Sequence, residues 1–171
     1  MCQLTINGFG FGTKKGKILI GDLATKIISW TDTRITSTVK KVPLPIGPYD
    51  VSISSKAIAT ITLDNAFAVK NPELQDPLSD SAGRPGEEII VYGNFFGIKK
   101  GKVYLEYESN GQTKNKNCKV TYWYMDPTTG ASEVRFIVPK VSKSFIASDY
   151  PLKVDNKIGI ATASPNFTIS P

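Results

Sequence analysis

The chain has no histidine among its 171 residues. That one absence removes the imidazole general base, the Ser-His-Asp relay and histidine metal ligation together. Cysteine is almost missing too: Cys2 and Cys118 stand alone, at positions that do not correspond within the chain's internal repeat. Neither a disulfide framework nor a thiolate metal site is expected from such a pair. No apolar run approaches the roughly 18 residues of a membrane-spanning helix, so no membrane insertion is expected. Like charges never gather into the long blocks that mark a binding tail. Helical periodicity and a visible leader are lacking as well, since Met1-Cys2-Gln3 runs straight into the alternating Leu4-Thr5-Ile6. The expectation is either a cytoplasmic protein or a piece of a longer exported one. Nothing calls for a cofactor.

What is present is the composition of an ordinary folded chain, 40% hydrophobic and 21% charged, with a formal net charge of +6. The charge is uneven: residues 1–70 carry +5 and residues 71–171 carry +1. A basic excess can draw nucleic acid, anionic polysaccharide or a membrane surface. Here the lysines are dispersed over several loops, which reads as a solvated surface.

The strongest signal is a duplication. Gly8-Phe9-Gly10-Phe11-Gly12-Thr13-Lys14-Lys15-Gly16-Lys17 returns as Gly93-Asn94-Phe95-Phe96-Gly97-Ile98-Lys99-Lys100-Gly101-Lys102. Each copy follows one alternating apolar run and precedes another, Ile18-Leu19-Ile20 or Val103-Tyr104-Leu105. Self-similarity at a fixed spacing predicts repeated architecture, here two units at 1–70 and 71–171. Short alternating runs rich in β-branched residues predict strands: Leu4–Asn7, Lys17–Ile20, Ala24–Trp30, Ile35–Val39, Tyr49–Ile53, Ala57–Leu63 and Phe67–Val69 in the first unit. The second unit repeats the programme from Glu88 to Ile169, with a polar insertion, Ser109–Asn117, that the first does not have. Pro43, Pro45 and Pro48 punctuate a longer loop, and the Pro-, Asp- and Ser-rich stretch 71–86 is a seam whose Pro72-Glu73-Leu74 can open the second unit. The fold expected is all-β, two tandem immunoglobulin-like β-sandwiches.

The glycine loop, Lys-Gly-Lys-Ile/Val, a Trp followed by a polar turn, a Val-Pro, Tyr-x-Val and a terminal Phe-x-Val/Ile resemble IPT/TIG domains. The matching residues of the first unit are Gly8, Gly12, Gly16-Lys17-Ile18, Trp30-Thr31-Asp32-Thr33, Ile35, Pro43, Gly47-Pro48-Tyr49-Asp50-Val51 and Phe67-Ala68-Val69. The resemblance implies an immunoglobulin-like module of the kind found in plexins, Rel-type transcription factors, bacterial surface proteins and carbohydrate-active enzymes. Against that pattern the first unit lacks its leading strand, which suggests that residue 1 lies inside a longer protein. The second unit has Ser148-Asp149 where a glycine would precede Tyr150.

Candidate chemistry is sparse. Lysines beside a glycine loop invite a phosphate-cradle reading, yet a phosphate loop needs a helix after it and both copies lead into β patterns. The loops then serve as tight connections whose tips, Lys14, Lys15, Lys17, Lys99, Lys100 and Lys102, are basic and solvated. The neighbouring acids Glu106 and Glu108 read as solvated charges rather than as a glycosidase pair, which needs a cleft. Tyr122, Trp123 and Tyr124 alternate sides of a strand. With Trp123 inward, Tyr122 and Tyr124 stand outward, next to Tyr104 as expected, forming a candidate ledge for sugars or a protein partner. The function expected is a non-catalytic structural or interaction module of a surface or secreted protein. A carbohydrate-binding accessory and a DNA-contacting pair are the alternatives. Other domains of the same longer chain, protein or polysaccharide are the expected partners, ahead of nucleic acid. The location is extracellular or cell-surface, with the cytoplasm left open.

Overall fold

The structure is a computed structural model that describes residues 2–39, 44–56 and 58–171. It separates into two compact units, Met1–Lys70 and Asn71–Pro171. The described residues form strands, turns and loops, with no helix. The expected Pro43 loop position and the Ala57 strand start lie outside the described residues.

In the first unit the chain runs through β1 (Cys2–Asn7), β2 (Lys17–Ile20), β3 (Leu23–Ala24), β4 (Lys26–Trp30), β5 (Arg34–Val39), β6 (Gly47–Ser54) and β7 (Ile61–Val69). Two antiparallel sheets result, ordered β1-β5-β4 and β3-β2-β6-β7. Period-2 alternation puts Ile18 and Ile20 of β2 opposite Ile53 and Val51 of β6, all fully buried. Ile6, Trp30, Ile35 and Val39 meet them from the other sheet.

The second unit contains β8 (Glu73–Leu74), β9 (Ala82–Gly83), β10 (Glu88–Asn94), β11 (Lys102–Ser109), β12 (Gln112–Asn117), β13 (Lys119–Met125), β14 (Ala131–Ile137), β15 (Asp149–Tyr150), β16 (Leu152–Asp155), β17 (Ile160–Thr162) and β18 (Phe167–Ile169). Its sheets are ordered β13-β14-β10-β8, β12-β11-β16-β17 and β15-β18-β9. The core gathers Ile89, Val91, Val134, Phe136, Val103, Leu105, Leu152, Val154 and Phe167, which alternate inward along their strands.

Four local features differ from the sequence expectation. The run Ala24–Trp30 is two strands, because the chain changes sheets at Thr25, whose N–H donates to the Ile18 carbonyl. Cys118 makes the same crossing in the second unit, its N–H donating to Val103, the counterpart of Ile18. The polar insertion is a hairpin: β11 turns back as β12 through Asn110-Gly111, both at positive φ. The two terminal runs of the first unit merge into the single strand β7. Finally, Phe145, in a Lys- and Ser-rich loop, is fully buried between Tyr107 and Tyr150.

The strand-entry tyrosines are equivalent despite the Ser148-Asp149 substitution. Tyr49 donates its hydroxyl to the Pro45 carbonyl and Tyr150 donates to Ile146, each four residues upstream and each at 2.8 Å. The units differ at one edge. In the second, β8 pairs with the outer side of β10, and β9 pairs in parallel with β18. Among the described residues of the first unit, β1 and β7 have no such partner strand.

Candidate functional site

The duplicated loop is the first candidate, and its geometry assigns the plug phenylalanine and several glycines of each copy to folding. Phe11 and Phe96 are buried plugs, packed at 6.3 Å on Trp30 and at 5.8 Å on Trp123. The indole N–H of Trp30 donates to the Phe11 and Gly12 carbonyls, and that of Trp123 donates to Gly97. Each plug lies against the glycine three residues before it: a Cβ on Gly8 would sit 2.6 Å from Phe11 Cζ, and one on Gly93 would sit 2.6 Å from Phe96 Cζ. A Cβ on Gly16 or Gly101 would overlap the carbonyl oxygen of Ser54 or Asp155 on the adjacent strand. Gly12 and Gly97 hold φ of +74° and +81°, the left-handed region that glycine enters without a Cβ penalty.

The loop lysines do not act alike. Lys14, Lys15 and Lys99 are exposed on the loops, while Lys17 and Lys102 are exposed first residues of β2 and β11. Lys100 is exposed as well, but its ammonium is turned onto the chain. Its ammonium donates to the Val120 carbonyl at 2.6 Å, beside the bulge between Val120 and Tyr122. A bulge locally disrupts the ladder, and the lysine supplies this carbonyl with a donor beside it.

The carboxylates are engaged one by one. Glu106 accepts from Lys153 at 2.6 Å, Glu108 from the Thr113 hydroxyl, Glu88 from the Thr121 hydroxyl and Glu87 from the Arg84 N–H. Asp126 accepts the N–H groups of Thr128 and Thr129, and these bonds, which favour the charged form, hold its carboxyl below the usual range. Among the described residues no group of three or more Cys, Asp or Glu side chains is placed to hold a metal ion. Burial pushes the Cys118 thiol up to about 12, which leaves it a protonated core residue.

Tyr122 and Tyr124 do stand outward, as β13 alternation requires, with Trp123 partly buried against the core. The two residues are 43% and 48% exposed, with their rings 6.5 Å apart and inclined by only 25°. Tyr104 does not join them. It lies on β11 of the other sheet, is 7% exposed, and desolvation there raises its phenol above the ordinary value. The reason is that the hairpin and β16 flank β11 on both sides, at Asn117 and Lys153.

The structure adds three residues that the sequence reading missed. The cross-strand register places Tyr92 and Tyr124 on either side of Glu133, and Ile90 and Tyr122 on either side of Arg135. Tyr92 is 42% exposed. The Arg135 guanidinium lies 5.1 Å from the Tyr122 ring centre and donates to Glu133 at 2.7 Å. Both contacts favour its charge: the Glu133 hydrogen bond first, then the Coulomb attraction, raises its pKa further. Alternation along β10 and β14 would have revealed these residues had the strands been registered against β13.

Among curated proteins, the chain is 40% identical over 94 residues to a cyclomaltodextrin glucanotransferase from Thermoanaerobacterium thermosulfurigenes, covering 53% of this chain and 13% of the enzyme. It is 28% identical over 97 residues to the same enzyme from Geobacillus stearothermophilus, covering 55% and 13%. The match thus spans about one eighth of the length of these relatives. Of the solved structures, a surface glycan-binding protein of Prevotella bryantii aligns over 96% of this chain and 36% of its own, at 17% identity and a TM-score of 0.45. Residues 2–69 match the IPT/TIG domain. The family match thus covers the first unit of the chain.

Proposed function

We propose that the chain is a non-catalytic interaction module of a longer protein that handles glucan, with its two sandwiches acting as spacer and contact surface. One observation carries the reading: the glucanotransferase relatives match it over only 13% of their length. We read a segment of that size as an accessory portion of a large enzyme, and the described residues here form only strands, turns and loops. The carboxylates support the reading, since Glu87, Glu88, Glu106, Glu108 and Asp126 are held in hydrogen bonds and an ion pair that stabilise turns and strands. An extracellular or cell-surface location goes with this reading through the family resemblance. The direct test is incubation of the purified chain with soluble starch and with cyclomaltodextrin, followed by chromatography of the products. No oligosaccharide should form above the blank. Hydrolysis or transglycosylation that resists repurification would overturn the proposal. Duplex DNA retained at physiological salt, with the steep salt dependence of phosphate neutralisation, would favour a nucleic-acid role instead.

A further inference from the structure

The two units share a fold, so the first serves as an internal control for what the fold itself demands of the second. The outward-facing positions of the β13-β14-β10 sheet have counterparts on the β4-β5-β1 sheet. Both sheets carry a bulge just before the tryptophan, between Ile27 and Ser29 in one and between Val120 and Tyr122 in the other. Aligned on Trp30 and Trp123, and on the Ile6–Ile35 and Val91–Val134 pairs, Tyr122 corresponds to Ser29, Tyr124 to Thr31 and Tyr92 to Asn7. All three counterparts are exposed. The sandwich therefore folds with small polar groups at these positions. Three partly exposed phenol rings in the second unit are not a requirement of the architecture.

The chemistry of the face narrows what fits it. Arg135 and Glu133 neutralise one another between the rings, and Glu88 is held by Thr121. An anion or a cation would have to break these pairs. What remains open is aromatic face, phenol hydroxyls and a fixed guanidinium–carboxylate pair that can both donate and accept. The negative face of an aromatic ring attracts the polarised C–H groups of a pyranose, and the flanking polar groups can bond its hydroxyls. Two near-parallel rings held by the strand, with Tyr122 braced by Arg135, present this surface already ordered, which lowers the entropy cost of binding.

Resting on the reading of the chain as a module of a glucan-handling protein, we propose that Tyr92, Tyr122 and Tyr124, with Arg135 and Glu133, form a binding face for a neutral glucan chain. The occupant is an uncharged polysaccharide, recognised by ring stacking rather than in a closed pocket.

The test is calorimetric titration of the full chain with maltoheptaose and with soluble amylose, for the wild type and two variants. The first variant, Tyr122→Ser/Tyr124→Thr, installs the residues that the first unit carries on the same fold, so folding is preserved and circular dichroism checks it. The second, Lys14→Gln/Lys99→Gln, leaves the face intact and alters only the loops. Saturable wild-type binding, weakened by about tenfold or more in the tyrosine variant and unchanged in the lysine variant, is expected. Wild-type binding that the tyrosine variant retains in full would overturn the face while leaving the glucan-handling module standing. A folded wild type that binds neither glucan would overturn the face. Self-association lost in the tyrosine variant, without glucan binding, would reassign it as a protein contact and also overturn the proposal. Turnover of either glucan would instead remove the non-catalytic reading on which the face rests.

Discussion

Gly101 shows most clearly how the duplicated loop is used. Its missing side chain is what lets the Asp155 carbonyl and the Trp123 ring approach. Replacing it with alanine should destabilise the protein by about 1–3 kcal/mol, because the obstruction includes a backbone oxygen that cannot turn aside. Urea denaturation of Gly101→Ala against the wild type checks this. Lys100 and Lys99 are adjacent lysines with unlike roles. Truncating Lys100 to methionine leaves the Val120 carbonyl without its donor and should cost about 1 kcal/mol, whereas Lys99→Met should be neutral in the same denaturation series. Cys118 gives a third residue-scale test. Its burial predicts that iodoacetamide fails to label it in native Cys2→Ser protein at pH 8.5 and labels it readily in denaturant, as intact mass would show. The linkage has a definite sign. A folded pKa raised above the unfolded value adds stability below the unfolded thiol's titration, and that stability fades as pH rises toward 12.

At the scale of elements, the Asp126–Gly130 turn closes β13 onto β14 and so fixes the register beneath Tyr124 and Glu133. Asp126 caps the turn as a carboxylate with a lowered pKa. A lowered folded pKa contributes stability above the ordinary aspartate value of roughly 3.9 and loses it as pH falls through the folded value. The wild type should therefore lose stability below about pH 4 more steeply than Asp126→Asn, a difference that thermal melts at stepped pH would reveal. Elements also divide what the sequence disclosed from what it did not. The alternation of Ile18 with Ile20 and of Val51 with Ile53 was legible, because a buried strand face leaves a period of 2 in the residues themselves. The hairpin over Gln112–Asn117 was written as Asn110-Gly111 between two strand-like runs, but a six-residue polar strand carries no apolar alternation to announce it. Phe145 was illegible for the opposite reason: a single ring anchors a loop by tertiary packing, and local pattern holds no trace of that.

For the whole molecule, each unit has its own core, one from Ile6 to Ile53 and one from Leu78 to Ile169. Residues 71–171 expressed alone should therefore unfold in one cooperative transition, read by circular dichroism, and a broad or absent transition would count against an independent core. The candidate site was only half legible at this scale. Tyr122 and Tyr124 followed from strand alternation, but Tyr92, Glu133 and Arg135 reach the same face through strand pairings spanning tens of residues. Tyr104 lies on β11 of the other sheet and so does not share that face. Comparison of the two repeats separates scaffold from surface: the plug, the indole bond and the close-approach glycines recur, while the exposed phenols belong to the second unit alone. On this comparison the recurring loop residues serve folding, and the proposed contact surface lies on the outer face of β10, β13 and β14. An amide NMR titration of the full chain with maltoheptaose tests that division most directly. The predicted result is saturable shifts confined to the neighbourhood of Tyr92, Tyr122, Tyr124, Glu133 and Arg135, with Asn7, Ser29 and Thr31 of the first unit unmoved. Shifts that centre instead on loops 8–17 and 93–102, or no saturable shift at millimolar ligand, would contradict it.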